Sequence, residues 1–364
     1  MAKIAILSFY SGVVERGVET FAYEIIKRIS KKHETTIFQS GSSKYVSGEN
    51  SPKIEKFVVK EIRVSSSKPQ SSGNLLSKLY LDGQSLKILI FTLLTLPKIY
   101  KAKSNLIIPL NGGWQTALIR VFSKVTGKKM LISGHAGIGS DDAWNLFFRP
   151  DVFVALTRSE RDWTKKFVPE VRVATIPNGV DLSRFNPKVQ AKNLPLSKPI
   201  IVCASALVPY KRLDLTVRAV AKTDKLSLLV LGDGPMHGQI DTLGKRLLGK
   251  RYLRIVVPYE QMPAYYRAGQ VFTLASKTEA FGISYVEAMA CNLPVVTTSD
   301  RSREEIINQA GILTNPENID QYAKDLSIAV NTNYRNIPYN QALKFSWNKI
   351  AQDYETLMKD VLKR

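Results

Sequence analysis

The sequence predicts an α/β protein with two Rossmann-like parallel sheets, each in its own domain. The chain has 364 residues, which exceeds one typical domain and fits two. An apolar segment at 3–8 precedes a glycine-bearing loop, an amphipathic segment and a second β-like segment. This order is typical of the opening of a Rossmann-like domain. The same alternation begins again at residue 199, which predicts the second sheet.

The predicted domain limits follow the composition of the chain. We expect an N-terminal domain at 1–185, a linker at 186–198, a C-terminal domain at 199–342 and a final segment at 343–364 whose helix starts near Trp347. The linker is predicted because its residues are polar and include prolines. Strands are expected at 3–8, 35–39, 105–110, 129–133, 152–156, 199–204, 226–231, 253–257, 271–274 and 294–297. Most end in polar or glycine-rich loops, where parallel sheets bind ligands.

Basic charge is the main departure from an average globular composition. The formal net charge is +21, and residues 1–185 carry 28 Lys and Arg against 15 Asp and Glu. Residues 186–364 carry 24 against 16. The excess is densest between Lys53 and Lys129. Such a surface attracts anionic membranes or polyanions, and a basic protein without such a partner is an equal alternative.

The sequence does not show the patterns that are typical of disulfides, metal sites or membrane spans. Cys203 and Cys291 lie far apart without zinc or redox spacing, which fits a reducing compartment. The N-terminal segment has a strand pattern rather than that of a signal peptide. The longest apolar run, at about 88–97, is too short to cross a bilayer. We therefore predict a cytoplasmic protein, free or peripheral at the inner face of the membrane, with no metal site.

Two glutamates eight positions apart, Glu279 and Glu287, carry the strongest functional signal. A buried strand is predicted before them and a helix from about residue 284, which places Glu279 in the connecting loop and Glu287 in the first helical turns. Carboxylates can bind sugar hydroxyls, and the free N–H groups of a helix start can bind phosphate. The spacing also occurs by chance in solvated surfaces. The apolar and small residues around the pair, including Gly282, favour the functional interpretation.

Lys211 and Arg212 form a second candidate, in the loop after the predicted strand at 199–204. Two cations at the carboxyl end of a strand can stabilise a diphosphate leaving group. The alternative is a solvated basic turn. The loop precedes a helix in the domain that holds Glu279, which favours phosphate binding.

Several motifs together resemble those of the retaining glycosyltransferases of family 4, which have the GT-B fold. The spacing of Glu279 and Glu287 is similar to the family's E-x7-E signature. The resembling segments keep the family's order over nearly the whole chain: RGVETFAYEI (16–25), HAGIG (135–139), IPNGVDLSRFNP (176–187), ALVPYKRLDLTVRAV (206–220), LGDGP (231–235) and EAFGISYVEAMACNLPVV (279–296).

This resemblance implies two domains that face each other across a cleft, with the final helix crossing back to the N-terminal domain. The C-terminal domain would bind a nucleotide-diphosphate sugar and the N-terminal domain the acceptor. By matching position, Glu279 would contact the donor sugar hydroxyls and Glu287 the ribose. Lys211 would stabilise the diphosphate with Arg212 as a helper, and His135 would lie near the donor sugar carbon.

The resemblance implies further donor contacts through the backbone. Gly17 would allow the first loop to approach the diphosphate, and Val257 would precede the loop that flanks the base. Phe281, Gly282 and Ile283 would present backbone N–H groups to the sugar and the diphosphate.

The implied activity is metal-independent, retaining transfer of a hexosyl group to a hydroxyl of a carbohydrate or lipid-linked acceptor, in glycolipid or surface polysaccharide synthesis. The donor would be a UDP-, GDP- or ADP-sugar, with no further cofactor. No Asp or Glu of the motifs stands as a nucleophile, so a same-face substitution fits the family. Many members have an Arg five residues before the Lys, whereas this chain has Ala206. Lys211 is therefore expected to carry more of the leaving-group stabilisation.

Other function classes fit only parts of the sequence. A Rossmann oxidoreductase or epimerase would need a GxGxxG motif after the first strand, which this chain lacks. Charge alone suggests nucleic-acid binding, but no helix-turn-helix or RNA-binding motif is present, so we predict no nucleic-acid partner. A GT-B protein that binds sugar nucleotide without turnover is the closest alternative, and Ala206 is its single support.

Overall fold

The chain folds into two compact units, with limits that differ from the sequence-based ones. A computed structural model describes residues 1–13, 17–41, 57–62, 64 and 79–363. One unit contains Met1–Asn178 and Trp347–Arg364, and the other contains Gly179–Ser346. Residues 186–198, predicted as a linker, lie within the second unit. The chain enters and leaves this unit at neighbouring points, because Val180 N–H donates to the Phe345 carbonyl at 2.8 Å.

Part of the sequence interpretation falls outside the described residues. This applies to Arg16 of the first resembling motif, to the predicted loop at 65–73, and to the basic residues Lys53, Lys56, Arg63, Lys68 and Lys78.

The first unit is built on a seven-stranded parallel sheet with strand order β3-β2-β1-β4-β5-β6-β7. Its strands are β1 (Lys3–Leu7), β2 (Glu34–Gln39), β3 (Phe57–Glu61), β4 (Leu106–Pro109), β5 (Lys129–Ser133), β6 (Val152–Ala155) and β7 (Val173–Thr175). Its helices are α1 (Gly17–Ile29), α2 (Gly83–Lys101), α3 (Gly113–Thr126), α4 (Ser140–Phe147), α5 (Arg158–Phe167) and α13 (Trp347–Lys363).

Both faces of this sheet are covered, which explains the continuous apolar strands. Ile4 and Ile6 of β1 pack in one apolar cluster, and Ala5 and Leu7 pack in another. Alternate residues of a strand point to opposite faces, so a strand that is buried on both sides needs an unbroken apolar run. The final helix α13 contributes Tyr354 and other apolar residues to the first cluster, so it belongs to this unit.

The second unit contains a six-stranded parallel sheet with strand order β10-β9-β8-β11-β12-β13. Its strands are β8 (Ile200–Ala204), β9 (Ser227–Leu231), β10 (Tyr252–Ile255), β11 (Val271–Leu274), β12 (Val295–Thr298) and β13 (Gly311–Thr314). Its helices are α6 (Leu213–Ala221), α7 (His237–Leu248), α8 (Met262–Tyr266), α9 (Ile283–Ala290), α10 (Arg301–Ile307), α11 (Ile319–Asn331) and α12 (Ile337–Ala342).

The strand order of the second sheet creates a crevice for a ligand. β8 pairs with β9 on one side and with β11 on the other, so the order of the strands reverses at β8. In open α/β sheets, ligands bind beyond the carboxyl ends of the strands at such a reversal. The loops that follow β8 and β11 carry Lys211 and Glu279. The predicted fold class, with two Rossmann-like parallel sheets, is confirmed.

Candidate functional site

Lys211 and Glu279 meet at the reversal point of the second sheet. Lys211 ends a short 3-10 turn after β8, and Glu279 lies in the loop after β11. The lysine Nζ donates to Glu279 Oε1 at 2.5 Å, and both side chains are largely buried, with 13% and 12% exposed. This contact joins residues 68 positions apart. A cation and a carboxylate therefore lie side by side at the edge where a ligand would bind.

The backbone beside Glu279 forms a second polar feature, the start of α9. Gly282 caps this helix with φ of 83° and ψ of 68°, in the left-handed region. A Cβ at this position would lie 2.3 Å from Cε2 of Tyr285, so a larger residue would clash as well as strain the backbone. No side chain caps the N–H groups of Ile283 and the following residue in the described chain. These donors can bind an anion.

The side chain of Phe281, at the same turn, packs into the interior of the unit. It is buried and lies edge-on to Phe345, with ring centroids 5.6 Å apart. The side chain of Phe281 is therefore part of the core of this unit. The backbone role that the resemblance implies for Phe281 stays a prediction.

Glu287 is held by two tyrosines in the second turn of α9. Tyr259 donates to its Oε1 at 2.7 Å and Tyr266 to its Oε2 at 3.0 Å. Burial raises the pKa of Glu287, and the two tyrosine hydrogen bonds oppose this rise. The guanidinium of Arg184 lies 5.1 Å from the centre of the Tyr259 ring. A carboxylate has about four acceptor positions, so Glu287 can still accept hydrogen bonds from a ligand's hydroxyls.

Arg212 directs its guanidinium away from Lys211. Its backbone is left-handed, with φ of 49°. Its Nε donates to the Ala275 carbonyl at 2.7 Å and its Nη1 to Glu317 at 2.8 Å. The first bond ties the loop after β8 to the end of β11, and the second ties it to the loop between β13 and α11. The structure therefore gives Arg212 contacts that differ from those of Lys211, and its predicted role as a helper on a diphosphate stays a prediction.

Arg303, which the sequence interpretation missed, lies beneath this site. Only 1% of the residue is exposed. Its guanidinium donates to the Tyr285 hydroxyl at 3.1 Å, to the Ser276 carbonyl at 2.9 Å, and to Asp300. Burial by itself lowers the pKa of Arg303. Tyr285, Asp300 and, to a smaller extent, Glu279 outweigh this effect, so the pKa is raised. A buried cation thus supports the loop that carries Glu279.

Two other predicted donor contacts occupy positions at the ends of strands or helices. Val257 lies half-buried in the loop after β10, two residues before Tyr259. Gly17 is exposed and is the first residue of α1 in the other unit. The donor contacts implied for these two residues stay predictions.

His135 follows β5 in the first unit. Its ring lies against Phe21, with centroids 4.4 Å apart, and its Nε2 is buried without a hydrogen-bond partner among the described residues. Burial lowers the pKa of His135 to about 3, so the imidazole is neutral at physiological pH. An unpartnered buried nitrogen is uncommon, and it leaves His135 able to hydrogen-bond a ligand hydroxyl.

Metal-binding geometry is not found in the described part of the chain. No group of three or more His, Cys, Asp or Glu side chains there is arranged to hold a metal ion. Among the same residues, no helix has both the length and the hydrophobicity required to cross a membrane.

A family model matches most of the second unit. Residues 185–344 match the family model described as glycosyl transferases group 1. The matched range contains Lys211, Glu279, Glu287 and Arg303, so the cluster described above lies within it.

Curated relatives match more weakly and over part of their length. A GDP-mannose-dependent alpha-(1-6)-phosphatidylinositol monomannoside mannosyltransferase of Mycolicibacterium smegmatis is 29% identical over 166 residues, covering 40% of this chain and 44% of that protein. A phosphatidylinositol N-acetylglucosaminyltransferase component of Arabidopsis thaliana is 26% identical over 263 residues, covering 66% and 58%. The matches thus span about half the length of these relatives.

Solved structures share the fold over the whole chain. Sucrose-phosphate synthase from Thermosynechococcus elongatus superposes with a TM-score of 0.81 at 18% identity, with full coverage of both chains. Anabaena HepE in complex with UDP-glucose superposes with a TM-score of 0.72 at 17% identity, over 99% of this chain and 100% of that one. Residues 185–344 are therefore similar to glycosyl transferases group 1, and the chain has the GT-B fold.

Proposed function

We propose that this protein is a retaining glycosyltransferase that moves a hexosyl group from a nucleotide-diphosphate sugar to an acceptor hydroxyl. The observation that carries the proposal is the 2.5 Å contact between Lys211 and Glu279 beside the uncapped start of α9. The site combines a carboxylate for sugar hydroxyls with a cation and backbone donors for a diphosphate. The group 1 domain match supports the same conclusion.

The proposed reaction is a same-face substitution. The bond between the anomeric carbon and the phosphate oxygen breaks, and its electron pair leaves with the diphosphate. The acceptor oxygen forms the new bond on the same face and gives its proton to a departing phosphate oxygen. Lys211 and the N–H groups at the start of α9 stabilise the developing negative charge. We propose that this stabilisation requires no resident metal ion. Full activity after dialysis against EDTA would support this proposal.

Each residue assigned to the donor is proposed to contact a different part of it. Glu279 holds the sugar hydroxyls, and Glu287, fixed by Tyr259 and Tyr266, holds the ribose. Neutral His135 accepts or donates one hydrogen bond near the reacting carbon. We propose a lipid-linked or carbohydrate acceptor, because the names of two relatives refer to phosphatidylinositol substrates.

A nucleotide-sugar donor is expected to raise the melting temperature of the protein. UDP-glucose, GDP-mannose and ADP-glucose are compared at equal concentration by differential scanning fluorimetry. A ligand at about 100 times its Kd stabilises the native state by about 2.7 kcal/mol. One base is expected to dominate, and Glu287→Gln is expected to reduce the shift because the ribose loses an acceptor. The exposed variant Glu260→Gln is the matched control. A melting temperature that none of the three donors raises above that of the ligand-free protein would contradict donor binding.

A sugar-nucleotide-binding protein without turnover is the second candidate. Two observations favour it: Ala206 stands where many related enzymes have an Arg, and the Arg212 guanidinium is already engaged by Ala275 and Glu317. This candidate predicts donor binding without hydrolysis or transfer. A melting-temperature shift with no release of nucleoside diphosphate over hours would support it against the enzyme.

We further propose that the first unit contacts the inner face of an anionic membrane. The contact would be made by the exposed side chains of α2 and α3, here called the α2–α3 surface. Leu86, Ile90, Leu93 and Leu94 are 42% to 54% exposed at spacings that place them on one face of α2. The neighbouring helix α3 exposes Val121 and Val125. The exposed lysines beside these residues are Lys98, Lys101 and Lys124. An apolar helical face bordered by lysines fits an interfacial location on anionic lipid.

Removal of two of these side chains is expected to weaken vesicle binding. Leu93→Gln/Leu94→Gln should lower the affinity for phosphatidylglycerol vesicles by at least about tenfold, since burial of each Leu contributes about 1.5–3 kcal/mol. The measurement is co-sedimentation at low and high salt, with phosphatidylcholine vesicles in parallel. Ile328→Gln/Leu343→Gln, at exposed apolar positions of the second unit, is the control pair. Equal binding of both double variants would refute the α2–α3 surface.

A further inference from the structure

Two acidic side chains of the first unit, neither of which has a role assigned above, are buried. Asp142 lies in the first turn of α4, directly after the loop that carries His135, and is 0% exposed. Glu160 lies in the first turn of α5 and is 2% exposed. Burial of two carboxyl groups without a cation is costly, so their environment needs a physical explanation.

Each carboxyl group is fixed by hydrogen bonds on one side. Oδ1 of Asp142 accepts from Asn145 at 3.1 Å, and the Asp142 carboxylate also accepts the backbone N–H of Gly137 in the His135 loop. Oε2 of Glu160 accepts the backbone N–H of Leu156 at 2.6 Å. Oε1 of Glu160 lies so close to Gly134 that a Cβ there would be 2.2 Å from it. The pair thus contacts both ends of the segment 134–137.

The remaining oxygen of each carboxyl group is buried. Oδ2 of Asp142 and Oε1 of Glu160 have no hydrogen-bond partner among the described residues, and each carboxyl group lies close enough to the other to shift its pKa as a neighbour in a hydrogen bond. Two carboxyl oxygens can form such a bond only if one of them carries a proton. The other groups that face the pair are the carboxylate of Asp141 and the hydroxyl of Tyr354. No cation is among the described groups that shift either carboxyl.

We propose that Asp142 and Glu160 share one proton and form a clamp that positions the loop carrying His135. Glu160 holds the proton and donates it to Asp142, and Asp142 in turn accepts the Gly137 N–H. Both are positioning residues, since neither is assigned to a substrate. The consequence for catalysis rests on the proposed role of His135, whereas the clamp itself does not.

The clamp makes the stability of the first unit depend on pH in a defined direction. Burial and the adjacent Asp142 charge raise the pKa of Glu160 to about 9. A raised pKa means that the folded state keeps a proton that the unfolded state has lost. The stabilisation is complete below the unfolded value of about 4.3 and is lost as pH rises toward about 9. One proton corresponds to roughly a tenfold fall in the folding constant per pH unit within that window.

The test replaces the protonated carboxyl group of Glu160 by the amide group of Gln. Gln at 160 can accept the Leu156 N–H with its carbonyl and donate to Asp142 with its amide, whereas Met at 160 can do neither. Wild type, Glu160→Gln, Glu160→Met and the exposed control Glu170→Gln are unfolded in urea between about pH 5 and 9. The four tryptophans, Trp114, Trp144, Trp163 and Trp347, all lie in the first unit and report its unfolding. Hydrogen exchange of the Gly137 amide and donor turnover are measured alongside.

The expected result is a steeper loss of stability with pH in wild type than in Glu160→Gln, by roughly tenfold per pH unit in the folding constant. Glu160→Gln should keep slow Gly137 exchange and neutral-pH turnover. Glu160→Met should accelerate the exchange and lower turnover by about tenfold or more, since small displacements of a reacting group are costly.

Parallel pH curves for wild type and Glu160→Gln would overturn the shared proton. Unchanged exchange and turnover in Glu160→Met would overturn the positioning role. Absence of turnover in wild type would count against the proposed transfer and leave the stability and exchange results to decide the clamp.

Discussion

Replacement of Lys211 by Met is expected to lower the turnover number by about 10²–10³-fold, equivalent to about 3–4 kcal/mol in the activation barrier. In the proposed reaction, negative charge develops on the leaving diphosphate beside the Lys211 ammonium. Ala206 supplies no second cation, and the guanidinium of Arg212 is engaged by the Ala275 carbonyl and Glu317. The lysine therefore carries most of the side-chain stabilisation, and its loss acts mainly on kcat. The measurement is steady-state transfer or donor hydrolysis at saturating donor.

The matched control for this variant is Lys222→Met. Lys222 lies at the end of α6 in the same unit and pairs with Asp320 at an exposed position, so its loss removes the same charge far from the loop after β8. It should retain wild-type kcat. If Lys211→Met keeps turnover similar to that of Lys222→Met, the leaving-group assignment fails. If only the KM of Lys211→Met rises, the lysine binds the ground state and the transition state equally.

The positions of most strands and of the central site could be predicted from the sequence. Strands that are buried on both faces give continuous apolar runs such as 271–274, and polar loops at their carboxyl ends mark one edge of a parallel sheet. This reasoning places Lys211 and Glu279 at the same edge, and the structure shows them in contact. β13, by contrast, is short, lies at the sheet edge and is only partly buried, and its apolar signal is correspondingly weak.

Partnerships of buried polar side chains could not be predicted. Tyr259 and Tyr266 bind Glu287 across 28 and 21 residues, and no local pattern distinguishes them from core tyrosines. The orientation of Arg212 depends on a left-handed backbone that its neighbours impose. Buried Arg303 follows exposed Arg301 in a charged helix, where both positions look like solvated surface. These contacts depend on tertiary packing rather than on periodicity or spacing.

Replacement of Arg303 by Met is expected to destabilise the second unit by about 3 kcal/mol, because two buried acceptors lose hydrogen bonds to a charged donor, and each such bond contributes about 1.5–3 kcal/mol. Met fills most of the volume, so the effect arises from lost polar contacts rather than from a cavity. The Ser276 carbonyl and the Tyr285 hydroxyl are buried and lose a charged donor. Both retain one other hydrogen bond, from Thr298 and Thr297, which places the expected value at the lower end of the range.

Hydrogen exchange by mass spectrometry over residues 271–298 is the appropriate measurement, because the second unit contains no tryptophan. The matched control is Arg301→Met, which removes an exposed guanidinium from the same helix two positions earlier. The control should leave exchange unchanged, whereas Arg303→Met should accelerate it by about 150-fold where exchange requires unfolding of the unit, the equivalent of about 3 kcal/mol. Equal exchange in the two variants would show that the buried guanidinium is dispensable. The loop that holds Glu279 would then depend on the packing of Phe281 and Tyr285 rather than on the charge beneath it.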